Sequence, residues 1–220
     1  LAQTYQVAVT DANPAAAIAT EVLLLAIKPQ VFPQVAAELS GATALVISIL
    51  AGTPLNQLEA AFPRQAVIRA MPNTPAAVGA GMTAIALGQQ VTPQQIETAK
   101  RILETVGEVV EVPESAMDAV TGLSGSGPGY VALMIEALAD GGVAAGLPRA
   151  VALKLALQTV RGTAQLLQES GMHPGELKDR VTSPGGTTIA GIAELEKSGV
   201  RSAFIEAVKA AYGRSRELGL

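Results

Sequence analysis

Unbroken aliphatic runs and spaced apolar positions take turns through the first half of the chain, and each predicts a different element. Glu21-Val-Leu-Leu-Leu-Ala-Ile27 and Ala44-Leu-Val-Ile-Ser-Ile-Leu50 carry almost no polar residue, the pattern of parallel strands buried on both faces. Ala66-Val-Ile-Arg-Ala70, Met82–Leu87 and Glu108–Val112 continue the series. Tyr5-Gln-Val-Ala-Val9, ahead of the turn-prone Asp11-Ala-Asn-Pro14, reads as one more short strand. A brief alanine helix follows Pro14, and helices are predicted over Val31–Leu39 and Pro54–Phe62. Thr92 and Pro93 open another, with apolar residues at Ile96, Ala99, Ile102, Leu103 and Val106 and a stop at Gly107. Strands and helices in alternation predict an α/β domain with a doubly wound parallel sheet.

Beyond Pro113 the strand pattern stops and helices take over. The boundary is placed near 113–124, giving domains 1–118 and 119–220 without a flexible linker, because the residues there stay apolar and helix-compatible. Long helices are predicted from Tyr130 to about Ala145 and from Arg149 to about Ser170, then a short one over Glu176–Val181 and two more to close the chain. Val131, Leu133, Met134, Ile135, Ala137 and Leu138 clothe more than one face of the first; Leu153, Leu155, Ala156, Leu157 and Val160 do the same for the second. Helices apolar most of the way round must be covered on most sides, so subunit association is expected over a compact monomeric bundle.

Composition narrows the chemistry. Of 220 residues, 49% are hydrophobic and 15% charged, a globular balance, and aromatics at 3% leave the core to Ala, Val, Ile and Leu. Such a core favours close helix packing through alanine faces. The net charge of −4 without a basic run argues against nucleic acid as a partner. With no cysteine and a single histidine, His173, thiolate catalysis, disulfides and a Cys- or His-based metal centre are not expected. No apolar run reaches the roughly 18 residues that a membrane span needs. The opening Leu-Ala-Gln-Thr-Tyr is neither a signal peptide nor an initiator methionine, which suggests a soluble, intracellular protein whose beginning lies upstream.

Two places invite a ligand. In a doubly wound domain ligands bind at the carboxyl ends of the parallel strands, where this chain offers Ala26-Ile-Lys-Pro29, Ala51-Gly52 and Met71-Pro-Asn73. Lys28 there can meet a phosphate, or be an ordinary solvated lysine. Arg69 is the other cation near such an end. The phosphate-gripping G-x-G-x-x-G turn is absent. In the second half, Thr182-Ser-Pro-Gly-Gly-Thr-Thr-Ile189 places two glycines before an apolar helix beginning at Thr187 or Thr188. A helix start has unpaired N–H donors and a partial positive charge, a site for a carboxylate or phosphate. On these residues alone a plain turn with a threonine N-cap explains the stretch as well.

Several motifs taken together carry more: Gly122 through Tyr130, Ala139-Asp-Gly-Gly-Val143 with Gly146-Leu-Pro-Arg149, His173-Pro-Gly175 with Leu177-Lys-Asp179, and Ser183-Pro-Gly-Gly-Thr-Thr-Ile189. Joined to Ala26-Ile-Lys-Pro-Gln30 and Val67-Ile-Arg-Ala-Met-Pro-Asn-Thr-Pro75, they make the whole chain resemble the pyrroline-5-carboxylate reductases. The family opens with a strand and a Gly-x-Gly-x-Met-Ala turn that are not present, so the resemblance places Leu1 within the family's second β-unit.

The resemblance implies a Rossmann-like domain, a helical dimerisation domain, and reduction of a cyclic imine to L-proline with hydride from NADPH or NADH. It implies that the substrate carboxylate rests on backbone N–H groups of Gly185, Gly186 and Thr187, and that Thr188 reaches the ring nitrogen. Ser183 adds a hydrogen bond or caps a turn. Glu114 balances an iminium charge, or is simply an acidic residue at a helix start. On the cofactor side it implies Ala26, Lys28 and Pro29 along the adenosine-phosphate path, Asn13 near the adenosine ribose, Ala51 beside the nicotinamide, and Asn73 in the same cleft. His173 looks structural, no metal is implied, and a cytoplasmic homodimer or higher homo-oligomer is expected. Two alternatives remain: a two-domain NADP oxidoreductase of the hydroxyacid-dehydrogenase kind, disfavoured because the first long helix carries Glu136 and Asp140 but no lysine, and a helical scaffold protein with an incomplete nucleotide domain.

Overall fold

A computed structural model describes residues 2–17, 20–39, 41 and 44–219. Backbone contacts divide it into two units: residues 1–126 with 209–220, and residues 127–208.

The first unit is built on five strands, β1 Val22–Leu25, β2 Leu45–Ser48, β3 Val67–Met71, β4 Gly81–Leu87 and β5 Gly107–Glu111, lying in that order across one sheet. Helices α1 Ala2–Tyr5, α2 Asn13–Ala17, α3 Phe32–Glu38, α4 Leu55–Ala61, α5 Pro93–Leu103 and α6 Met117–Val120 accompany them. The aliphatic runs are continuous because both faces of the sheet are covered. Val46 and Val67 pack with Phe32, Ala36, Leu58 and Phe62 from α3 and α4. Leu45, Ile47, Ile68 and Ile85 pack with Ala99 and Leu103 of α5. Strand alternation therefore sends neighbouring residues of β2 into two different cores.

β1, β2 and β3 are parallel, and so are β4 and β5, whereas β3 and β4 run antiparallel. The connection explains the exception. Only Pro72–Ala80, with a 3₁₀ turn over Thr74–Val78, separates β3 from β4, too short for the crossover that a parallel neighbour requires. α5 supplies that crossover between β4 and β5, opened by a full capping box in which Thr92 accepts from the Gln95 N–H.

The strand expected over Tyr5–Val9 is not formed. Residues 2–5 are helical, 6–10 are irregular, and Tyr5, Val7 and Val9 are exposed. Alternating β-formers make a strand only beside a partner, and no strand of the described sheet pairs with them. The alanine helix expected after Pro14 is seen over Asn13–Ala17; residues 18 and 19 lie outside the described residues.

The second unit is helical: α7 Gly127–Ala144, α8 Arg149–Ser170, α9 Pro174–Arg180, α10 Thr187–Lys197 and the first part of α11 Val200–Leu218. Its interior is small and built from alanine as the composition suggests. Ala139, Ala152 and Ala156 form the buried cluster where α7 meets α8, flanked by Ile135 and Val143. Much of the rest faces outward, including Leu133, Leu138, Leu155, Leu195, Phe204 and Ile205. A groove of about 570 Å³ runs between α7 and α11, lined by Leu133, Met134, Leu138 and Phe204 among others. No helix among the described residues is long and apolar enough to cross a membrane.

Candidate active site

In the first unit the expected cofactor residues sit where the parallel strands end. β1 stops at Leu25, and Ala26, Lys28 and Pro29 follow it on the surface. Lys28 is held extended ahead of a 3₁₀ turn over Pro29–Val31, and its ammonium makes no ion pair among the described residues. β2 stops at Ser48; Ala51 is exposed beyond it, and Gly52 makes the bend with φ +69°. Asn13 opens α2, where its Nδ2 donates to Glu38 Oε2 at 2.7 Å.

Asn73 and Glu114 are tied down more firmly. Asn73 Oδ1 accepts from the Met82 N–H at 2.9 Å, and its Nδ2 donates to the Ser124 carbonyl at 3.1 Å. One amide thus joins β4 to the π-helical turn Thr121–Gly125. Glu114 Oε1 accepts two bonds, from Arg69 Nη1 at 2.5 Å and from the Leu55 N–H at the start of α4 at 2.9 Å. Arg69 is 6% exposed at its side chain, so it is no phosphate ligand at a strand end. Glu114 Oε2 is buried and has no hydrogen-bond partner among the described residues. A buried carboxylate oxygen without a donor leaves one acceptor position unfilled.

In the second unit the glycine turn has the shape its residues demand. Gly185 is left-handed, φ +66°, and the Gly186 N–H returns to the Ser183 carbonyl at 3.0 Å. A Cβ on Gly186 would collide with Ser183 Oγ, so a larger residue there requires the Ser183 side chain to turn away. Gly186 is the N-cap of α10 and supplies no side chain, and neither threonine caps the helix. The N–H groups of Thr187, Thr188 and Ile189 are therefore left without partners among the described residues, at the positive end of an eleven-residue helix. Gly185 likewise has a free N–H, while that of Gly186 is spent inside the turn. Ser183, Thr187 and Thr188 are all exposed. His173 caps α9, its Nδ1 accepting from the Gly175 N–H at 3.1 Å. Glu196 lies at the far end of α10, its carboxyl held below the ordinary value by the hydrogen bond from Arg201.

Three participants escaped the sequence reading as such: Arg69 as a buried partner, Leu55 as an amide donor, and Ser124 as an acceptor. An arginine inside the apolar run Val-Ile-Arg-Ala was the available signal for the first, since a buried guanidinium needs a carboxylate.

Residues 114–218 match a family model described as pyrroline-5-carboxylate reductase dimerisation, and residues 1–52 match one described as NADP oxidoreductase, coenzyme F420-dependent. The chain is 66% identical to the pyrroline-5-carboxylate reductase of Synechocystis sp. over 221 residues, covering 100% of this chain and 83% of that protein. The solved pyrroline-5-carboxylate reductase of Coxiella burnetii superposes with a TM-score of 0.91 at 37% identity, over 96% of this chain and 80% of that one. That of Plasmodium falciparum, solved with NADP bound, superposes at 0.88 and 32% identity, over 96% and 82%. At such identity over its full length, the hydroxyacid-dehydrogenase alternative falls away. The chain belongs to the pyrroline-5-carboxylate reductase family.

Proposed function

We propose that this chain reduces 1-pyrroline-5-carboxylate to L-proline with hydride from NADPH or NADH, the last step of proline biosynthesis, and that the turn before α10 holds the substrate. The observation that carries the assignment of the site is the start of α10, where successive N–H groups have neither a capping side chain nor a backbone acceptor among the described residues. A carboxylate is the ligand such a helix start favours.

Gly185 and Gly186 give the turn its shape, and the N–H groups of Gly185, Thr187 and Thr188 bind the carboxylate. Thr188 Oγ1 hydrogen-bonds the ring nitrogen and Ser183 supports the turn. A threonine hydroxyl is far too weak an acid to protonate the ring outright at neutral pH, so its work is to orient the nitrogen. Glu114 Oε2 is the oxygen left to balance the charge of a protonated imine, Oε1 being engaged by Arg69 and Leu55.

The dinucleotide, when bound, supplies the hydride. Residues at the strand ends fit it: Lys28 is an exposed cation without an ion pair among the described residues, beside the small Ala26, and Ala51 leaves backbone room at the end of β2. On this reading Ala26, Lys28 and Pro29 follow the phosphates, Asn13 lies near the adenosine ribose, and Ala51 flanks the nicotinamide. Asn73 acts through the turn it pins. The functional halves are 1–118 for the dinucleotide and 119–220 for substrate and dimerisation. The outward apolar faces of α7, α8 and α11 support a homodimer or larger homo-oligomer. A cytoplasmic location belongs to the same proposal and is checked by cell fractionation.

The test is NADPH oxidation by the chain in the presence of pyrroline-5-carboxylate, with L-proline identified as product. Turnover that needs both compounds and yields proline is the expected result. A chain that binds neither would favour the scaffold alternative.

A further inference from the structure

Two contacts from distant parts of the first unit reach the bend between β2 and α4, residues 51–55, and a third ties their two sources together. Glu114 Oε1 accepts the Leu55 N–H at 2.9 Å. One turn farther along the same segment, Asp118 Oδ1 accepts the hydroxyl of Ser215 at 2.7 Å across 97 residues of sequence. α11 then runs on to Leu218, whose backbone lies against Gly52: a Cβ built on Gly52 would stand 3.5 Å from the Leu218 carbonyl oxygen, and one on Gly219 3.7 Å from that of Gly52.

The bend has little of its own to fix it. The N–H groups of Ala51, Gly52 and Thr53 make no hydrogen bond among the described residues, and Gly52 is left-handed. Thr53 is nevertheless 4% exposed, so packing holds the bend in place. On the other side, Ser215 is the one buried residue of α11 among those described, and its neighbours Arg214, Arg216 and Glu217 are all exposed. A helix that buries a single serine and bonds it to a carboxylate is anchored at that point, because a hydroxyl donated to an ionised acceptor in a partly buried place is among the stronger side-chain bonds.

We infer that the last turn of α11 is a latch on the Ala51–Thr53 bend, with Ser215 as its positioning residue. The catalytic consequence rests on the reading that sets Ala51 beside the nicotinamide: the latch then fixes the floor against which the dinucleotide ring is held, from a segment at the other end of the sequence. A bend displaced by even 1 Å misaligns hydride donor and acceptor.

Backbone NMR relaxation on the full chain, beside steady-state kinetics, tests this. Wild type should show Gly52 as rigid, with an order parameter of about 0.85, and Ser215→Ala should bring it below about 0.6. Exchange of the Leu55 amide should accelerate about tenfold, while β2 residues 45–48 keep wild-type values. KM for NADPH should rise several-fold with KM for pyrroline-5-carboxylate unchanged, and Ser215→Thr, which keeps the hydroxyl, should restore both readouts. Asp118→Ala, which removes the acceptor instead, should match Ser215→Ala. Gly52 remaining rigid in both alanine variants overturns the latch, as does loosening spread evenly over β1–β3, which marks a merely structural contact. A wild type that keeps Gly52 rigid but does not turn over pyrroline-5-carboxylate counts against the proposed function and leaves the latch standing on its relaxation data.

Discussion

In the proposed site, Thr188 is the residue on which the chemistry turns. Among the described residues its N–H has no partner at the second position of α10 and its hydroxyl caps nothing, so neither group has a structural duty that substitution would disturb. Thr188→Ala should therefore fold normally and turn over roughly ten- to a hundredfold more slowly, the cost of one hydrogen bond of about 1–3 kcal/mol in the transition state. Thr188→Ser should recover most of the rate; the check is kcat for all three chains beside their melting curves. Gly185→Ala tests the backbone instead. The left-handed φ of +66° costs a residue with a Cβ about 1 kcal/mol, although nothing lies within 4 Å of that Cβ. Relaxing that strain would swing the free N–H groups out of register, so KM for pyrroline-5-carboxylate should rise while KM for NADPH stays put. The turn was legible as glycine-proline punctuation followed by an apolar helix. That Gly186 consumes its own N–H was not, because that depends on how the turn closes on Ser183.

Among the elements, α4 depends for its start on a residue that the proposed site also uses. Its first N–H is satisfied by Glu114, which a buried Arg69 holds in place. Arg69→Met leaves that carboxylate unpaired. Breaking a buried pair from one side costs about 3–5 kcal/mol, and with 33% of the Glu114 side chain exposed the loss should fall near the low end, about 3 kcal/mol, read from urea unfolding. Glu114→Gln keeps an oxygen for Leu55 but removes the charge, so it should lower kcat/KM for the imine about tenfold. α5 provides a control away from the site: Thr92→Ala removes the side-chain half of the capping box, leaving the Gln95 side chain on the residue-92 N–H, and should cost about 1 kcal/mol with kinetics unchanged. The strands β1 to β3 and this cap were legible because their signals are local. The direction of β4 was not, since it follows from the length of the Pro72–Ala80 connection. The pairs Arg69–Glu114, Asn73–Ser124 and Asp118–Ser215 are separated by 45, 51 and 97 residues, and no periodicity links such positions.

For the whole molecule, the imbalance between the two units is the leading fact. One has a sheet with two covered faces, while the other buries little beyond an alanine seam and shows Leu133 at 67% exposure. An unshielded apolar face of this extent calls for a second subunit. The chain should sediment at twice its 22.3 kDa or more, and Leu133→Glu, placing a charge in the α7–α11 groove, should shift it towards the single-chain mass. A wild type that sediments as a single chain would remove the case for association. The account as a whole rests on the start of α10 as the seat of a carboxylate, and backbone amide NMR during titration with L-proline examines that seat without any dinucleotide present. The account predicts that the amide signals of Gly185, Thr187 and Thr188 move on adding L-proline and stay still on adding pyrrolidine, which has the ring but no carboxylate; equal movement with both, or none at these three amides, would contradict it.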